Sequence, residues 1–590
     1  MFMKEKKDFT RRQFLKMASI AGAGGALTAC TPQVIEKIVE VPVEKIVEKQ
    51  VTQIVEKRVT QIVKVEAPVP PGLVLKKMDE YMPLDEWNPT PGGTLRWGTP
   101  GPVTGFNPVT IDGWSLRSGD LMYEGLFTFG PNNEVVPHLA TGATLGSDRI
   151  TWTIPLRKDV KFHDDTPFNA DAVKFNFDLF LDETRKRGEV AGAVAPIASV
   201  EKVDEFTIKI KTKQPQALFL ASSLQGNKLV FASPAAYRKY GEDLGRNPVG
   251  TGPFMFKEWK ESVSVKYVRN PDYKWAPAHF KNRGPAYPDE YHVMILAQDA
   301  VARALAFEAG EVDFIAHFNF LDSEKWSRQA DRKVLGSITG GMPWFLHINT
   351  TRWPTDDRDV RLALNMAINK KLVCQRGNGG IPPTMGGLLT PGTQGYSDEF
   401  NTLYPSDAKG ANKLLDDKGY TVGESGFRER DGKVMQVEFP NTPNPLSELY
   451  KLDIESSLKI KVEIPAIEFA TYINEMAAGK YTHQWTAGPG PDGDVLWPKY
   501  HSSNYGKPGR AFAFYVNQKV DALLDGARME FDSAKRTAKW LEVQKLLMDY
   551  IVAIPLATEL IYWAFNKTVG GQFFRGVNAT QTNYDLYVKK

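Results

Sequence analysis

Eight histidines, at positions 138, 163, 279, 292, 317, 347, 483 and 501, are the side chains suited to acid–base or metal chemistry near neutral pH. None stands in an H-x-H or H-E-x-x-H pair, and scattered histidines of this kind are usually structural. His163 precedes two carboxylates, but Asp164-Asp165-Thr166-Pro167 reads as a turn, with Asn169 as the N-cap of a following helix. Asp357, Arg358, Asp359 and Arg361, near Asn349, read as a charge network at a helix start. Gly250-Thr251-Gly252-Pro253 is a tight turn that lacks the Lys and the helix of a phosphate loop. No nucleophile elbow is present. The two cysteines, Cys30 and Cys374, exclude disulfide frameworks, iron–sulfur clusters and thiolate zinc sites. Catalysis, a resident cofactor and a metal site are therefore not expected. Binding remains, and the 13 Trp, 21 Tyr and 32 Phe supply rings for it.

The elements that position these residues begin after an address. Residues 1–29 carry six basic and two acidic groups, so the remainder of a chain of net charge +3 is left at −1. That near-neutrality argues against nucleic-acid binding. No run of 18 apolar residues follows the start. Thr10-Arg11-Arg12-Gln13-Phe14-Leu15-Lys16 resembles a twin-arginine export signal, and Leu27-Thr28-Ala29-Cys30 resembles a lipobox. Together they imply cleavage before Cys30, a lipid on its thiol, and a lipoprotein on the outer face of the cytoplasmic membrane. Cys374 is then a buried free thiol on a helix.

Residues 34–65 repeat with period eight: Ile38, Ile46, Ile54 and Ile62 recur, as do Val39, Val47, Val55 and Val63. Eight helical steps leave about 80° of drift per repeat, whereas an even period keeps each Ile on one face of an extended chain. Pro42 and the β-branched content also favour extension. The segment reads as a tether; a disordered linker or a coiled coil remains open. Residues 30–90 are thus expected to be stalk and linker, with 73–90 as a second short linker.

From Pro91 the chain resembles the extracellular solute-binding proteins of family 5, the large receptors of peptide- and nickel-type ABC importers. Several stretches carry the resemblance in family order: FNPV at 106–109, YEGLFTF at 123–129, VVPHLATG at 135–142, the run from Ile150 to Asp178, NPVGTGPFMFKEW at 247–259, the run from Leu346 to Val373, and IPLATELIYWAFNKTVGG at 554–571. The resemblance implies an α/β fold of the type II periplasmic-binding-protein class. It would have two lobes and an extra subdomain, like the large cluster C receptors. Lobe I would take 91–118, 230–338 and 557–590, the subdomain 119–229, and lobe II 339–556. The solute would lie in the cleft and be enclosed as the lobes close. The implied partners are a small solute (an oligopeptide, or an oligosaccharide as the nearest variant) and the permease and ATPase subunits, with a monomeric head.

The resemblance also directs attention to the segment from Trp485 to Leu496. Peptide-binding relatives show W-x-x-D-Y-x-D-P-x-x-x-L here, and their first Asp pairs with the ligand's ammonium. With Trp485 and Leu496 aligned, Gly488 stands where that Asp belongs, beside Thr486 and Ala487. A shifted alignment lets Asp492 or Asp494 serve instead. Trp485 matches the family's Trp. Trp344, Trp114 and Trp497 are further ring candidates, and Glu559 aligns with a position facing the cleft. The competing classes are a secreted enzyme exported by the twin-arginine route and a surface adhesion protein carried on the stalk.

Overall fold

The computed structural model describes most of residues 87–589, together with residues 70 and 72–76. The export signal, Cys30 and the period-eight repeat lie outside the described residues.

The largest sheet has eight strands, in the order Leu73–Lys76, Arg332–Ile338, Leu560–Asn566, Phe314–Ala316, Thr94–Thr99, Glu290–Ile295, Ser264–Arg269 and Phe254–Lys260. It is mixed. Thr94–Thr99 runs parallel to both of its neighbours, while Leu560–Asn566 runs antiparallel to both of its own. Both faces are covered, which fits strands as apolar as Leu560-Ile561-Tyr562-Trp563-Ala564-Phe565.

The first strand corrects one expectation. Residues 73–90 were expected to be a linker, but Leu73–Lys76 pairs in parallel with Arg332–Ile338. Further along, the Trp87 ring packs edge-on against Tyr287 and Tyr587 at 6.0 and 5.8 Å. A four-residue strand beside charged residues carries little periodic signal. What decides its place is the partner edge, whose backbone groups need pairing.

A four-stranded antiparallel sheet occupies the stretch from Thr144 to Thr212, in the order Thr144–Leu145, Thr151–Pro155, Thr207–Thr212, Ile197–Asp204. Its strands alternate as a half-buried sheet must: Trp152, Ile154, Ile208 and Ile210 point inward between exposed or half-exposed neighbours. Asn169 caps the helix Ala170–Leu181 by accepting the Ala172 amide, and Asp165 turns with φ of 62°.

The third region centres on three antiparallel strands, with Gly341–Ile348 between His483–Pro489 and Ala553–Ala557. Two apolar cores flank them, one containing Leu364, Tyr450 and Ile454, the other Trp540, Leu547 and Tyr500.

Cys374 lies in the helix Lys370–Asn378, is 3% exposed, and donates its thiol hydrogen to the Pro382 carbonyl at 2.9 Å. Burial pushes the thiol up from 9.0 to about 11. At pH 8 the lost thiolate fraction alone slows iodoacetamide about 100-fold relative to unfolded chain. Peptide mass spectrometry of the Cys374 fragment, before and after urea, checks this.

Candidate functional site

Two strand connections pass between the large sheet and the three-stranded sheet. Arg332–Ile338 continues through Thr339 and Gly340 into Gly341–Ile348, and Ala553–Ala557 continues through Thr558 and Glu559 into Leu560–Asn566. The two crossings touch: the Thr339 amide donates to the Glu559 carbonyl at 3.0 Å, and the Thr339 hydroxyl donates to the Glu559 carboxylate at 3.2 Å. Gly341 has φ of 104°, a conformation that a side chain would resist. Paired two-residue connectors of this kind are the places where two sheets can turn relative to each other.

Polar and aromatic groups gather on the large-sheet side of the crossing. Asp112 caps the helix Gly113–Gly119 by accepting the Trp114 and Ser115 amides. Trp114 and Arg117 lie one turn apart on that helix, so the guanidinium sits over the indole with its carbon 4.8 Å from the ring centroid. The other side of the ring region meets Gly101, where a β-carbon would come within 2.1 Å of the indole. The His317 ring stands edge-on to Trp114 at 6.0 Å. Burial, then the charges of Arg117 and Arg303, push His317 down to about 3, so it is neutral at physiological pH. Burial raises the Glu559 carboxyl against the opposing pull of Thr339 and Arg117. Burial also lowers the Arg117 guanidinium, against the pull of Glu559 and Asp120.

The three-stranded sheet brings the other candidates to the same crossing. Trp344 is half-buried, pairs with Ala557, and lies at a register shift in the ladder. Trp485 stands opposite Leu346, Thr486 opposite Phe345, and Gly488 opposite Met342. Ala487 and Gly488 are half-buried. A β-carbon at Gly488 would meet Met342 at 3.4 Å, an ordinary contact, so packing does not require glycine there.

The remaining candidates are engaged elsewhere. Trp497 donates its indole N–H to Asp525 at 2.8 Å, stacks on His501 at 5.0 Å, and carries Arg528 over its ring at 4.2 Å. Asp494 forms an ion pair with Arg528 at 2.9 Å. Asp492 is 7% exposed and accepts the Asp494 amide at 2.7 Å as the cap of a short 3-10 turn. Burial and the neighbouring Asp494 push its carboxyl up to about 7. Trp497 and Asp494 serve the docking of the helix Gln518–Arg528, while Asp492 caps the turn that carries them.

Sequence reasoning missed Arg117 and His317. The W-x-x-R spacing in Trp114-Ser115-Leu116-Arg117 was the available signal for the first. Nothing local pointed to the second, which reaches Trp114 from about 200 residues further along the chain. Among the described residues no three His, Cys, Asp or Glu side chains converge as a metal site, and no helix is long and apolar enough to cross a membrane.

Comparison with known proteins bears on the family and the fold. The family described as bacterial extracellular solute-binding proteins, family 5, matches residues 134–507. Heme-binding protein A of Haemophilus influenzae is 30% identical over 498 residues, covering 79% of this chain and 87% of its own. The glutathione-binding protein GsiB of Salmonella choleraesuis is 29% identical over 489 residues, covering 80% and 90%. Among solved structures, NikA from Brucella suis in complex with Fe(III)-EDTA superposes with a TM-score of 0.75 at 23% identity, over 84% of this chain and 100% of that one. The oligopeptide-binding protein AppA from Bacillus subtilis, in complex with a nonapeptide, gives 0.73 at 19% identity, over 85% and 100%. These two likenesses concern the fold, a type II periplasmic binding protein.

Proposed function

Since the chain belongs to the bacterial extracellular solute-binding proteins of family 5, we propose that it is the receptor of an ABC importer. It captures an oligopeptide or a polar solute of similar size between two closing lobes. It performs no chemistry on the solute and delivers it to a permease driven by an ATPase. Export by the twin-arginine route and a lipid on Cys30 would hold it at the outer face of the cytoplasmic membrane. The observation that carries this reading is the pair of adjacent crossings at Thr339 and Glu559, with rings and charges gathered beside them. Relatives that bind heme and glutathione support a solute of this size.

Native mass spectrometry of the untreated protein, followed by thermal-shift screening against peptides, sugars, heme and metal chelates, tests it. A co-purified solute, or a shift of several degrees with one class, supports the receptor. No retained mass and no shift with any class would remove it.

Gly488 offers a second test of substrate choice. Leaving a buried ammonium unpaired costs several kcal/mol, roughly, so free-amine peptides of the linear kind should bind weakly here. Gly488→Asp is expected to fold normally, because its β-carbon meets only ordinary contacts. The variant is expected to gain affinity for linear tripeptides by about 10-fold or more, as a new charge-assisted bond allows. Calorimetric titration with trialanine decides it.

A further inference from the structure

A third connection lies beside the two crossings. The helix Lys370–Asn378 packs against Ala553–Ala557 of the three-stranded sheet and ends at Gly379, whose φ is 65°. The loop that follows runs along the second crossing. The Cys374 thiol donates to the Pro382 carbonyl at 2.9 Å, and the Thr558 amide donates to the Pro383 carbonyl at 3.1 Å. Thr384 then bridges Ala557, and the Met385 amide donates to the Leu556 carbonyl at 2.8 Å. These bonds fix the loop to the three-stranded sheet. Its first residues rest on the other side. Ile381 packs against the apolar cluster of the large sheet that contains Phe318, Leu560 and Tyr562. Gly379 lies against Phe320, so closely that a β-carbon there would overlap the ring.

Phe320 belongs to the large-sheet side. It opens the helix Phe320–Ser327, which packs on Arg332–Ile338 and Leu560–Asn566, and its ring lies 6.3 Å from that of Tyr562. His317, with φ of 56°, turns the chain from the strand Phe314–Ala316 toward that helix. The ring that meets Trp114 and the ring that meets Gly379 therefore stand on one short stretch. At Gly379 the Phe320 ring meets bare backbone, with no partner side chain to interlock. Burial holds such a contact, and a small turn releases it.

We propose that the loop from Gly379 to Met385 is a strap between the lobes, and that Phe320 seated on Gly379 is its latch, restraining rotation at the crossings. The helix that ends at Gly379 is packed on one sheet, and the helix that Phe320 opens is packed on the other. A turn of the sheets about Thr339 and Glu559 therefore slides one against the other. The strap is a restraint on lobe motion that acts before any solute arrives. It depends on the two-lobed fold and not on the solute carried, so the receptor reading stands whichever way the test falls.

Hydrogen exchange of the purified, unliganded full chain tests this. The reporters are the Thr339 amide, bonded to the Glu559 carbonyl, and the Thr558 amide, bonded to the Pro383 carbonyl. Phe320→Ala is expected to speed exchange at both by at least about 5-fold, as local opening at the crossings becomes easier. Amides inside the sheets, such as Ile348 and Val293, should keep the parent's rates. Gly379→Ala should act in the same direction. Its control is Gly419→Ala, since Gly419 has φ of 79° but open space at its β-carbon position, and this variant should leave the crossings unchanged. The double variant Phe320→Ala/Gly379→Ala should exchange as Phe320→Ala does, because the overlap goes with the ring. Parent-like exchange at Thr339 and Thr558 in Phe320→Ala overturns the proposal. So does equal speeding throughout the sheets, the mark of a merely structural ring, or a Gly379→Ala variant that behaves as Gly419→Ala does. Should Gly379→Ala fail to fold, Phe320→Ala decides alone.

Discussion

Glu124→Ala is expected to lower the unfolding free energy by about 3–5 kcal/mol, the cost of removing one partner from a buried charged network. Glu124 is 3% exposed, lies in ion-pair contact with His138 at 2.7 Å, and accepts from the Thr251 hydroxyl at 2.7 Å, the Tyr273 hydroxyl at 2.6 Å and the Trp275 indole at 2.9 Å. Alanine would leave those groups buried without an acceptor. The donors come from three separated stretches of chain, so the network ties the strand pair around Phe127 to the turn at Gly250-Thr251-Gly252-Pro253. Urea unfolding followed by tryptophan fluorescence measures the loss; a loss under about 1 kcal/mol, as at a surface charge, would contradict it. The network also makes a pH prediction. Burial alone would raise the Glu124 carboxyl, but the charge and hydrogen bond of His138, with Tyr273 and Thr251, outweigh it and hold the carboxyl below its usual 4.5. A depressed native value stabilises the fold fully above pH 4.5 and stops doing so as pH falls through the lower native value. The stability gap between wild type and Glu124→Gln should therefore narrow in acid and stay constant at neutral pH.

Arg361→Leu is the second large expected effect, again about 3–5 kcal/mol, because a buried cation bonded to carbonyls alone has no replacement for them. Arg361 is fully buried in the helix Arg358–Ala367. It donates to the carbonyls of Thr355 at 2.8 Å, Asp356 at 3.0 Å, Tyr550 at 2.8 Å and Ile551 at 3.1 Å, and its guanidinium lies 4.5 Å from the Tyr550 ring centroid. Two of those carbonyls end the helix Ser533–Tyr550, where a positive charge also meets the negative end of the helix dipole. The neighbouring Arg358 is the control: its side chain is 45% exposed, and Arg358→Leu should cost less than about 1 kcal/mol. Hydrogen exchange should show the Arg361→Leu loss concentrated at Tyr550, Ile551 and Val552. Equal effects at 358 and 361 would show that the buried carbonyl network carries no special weight.

Arg361 also shows where sequence reading ends. Its neighbours Ala363 and Leu364 mark an amphipathic helix correctly, and Asp357 caps that helix as a helix-start acid should. Arg361 itself reads as one more charge at the surface. Its burial depends on carbonyls nearly 200 residues away, and no local pattern records them. Asn169 and Asp165 are the opposite case: cap and turn preferences act within three residues, so they are legible directly. The apolar alternation at Val160–Phe162 would equally suit a continuation of the strand Thr151–Pro155, but Phe162 closes a turn onto Thr166, in a loop packed on the core.

The site divides in the same way. The order of its motifs along the chain identified the family, and with it the two-lobed α/β class, because motif order is a property of the chain alone. The strand positions of Trp344 and Gly488 follow from local pattern, whereas nothing local decides what either residue faces. Trp497, Asp492 and Asp494 had the right chemistry for a ligand, but the helix Gln518–Arg528 brings Asp525 and Arg528 to two of them and turns them to packing. Arg117 and Glu559 lie more than 400 residues apart, on a short helix and on a strand connector. Arg117 meets the Trp114 ring within its own helix, whereas Glu559 meets Thr339, 220 residues away in sequence, only through the paired crossings. Residue types and local spacing determine caps, turns and strand faces, because those interactions are short in sequence. Which charges are paired is decided by tertiary structure, because it alone sets the distances and the burial on which charge pairing depends.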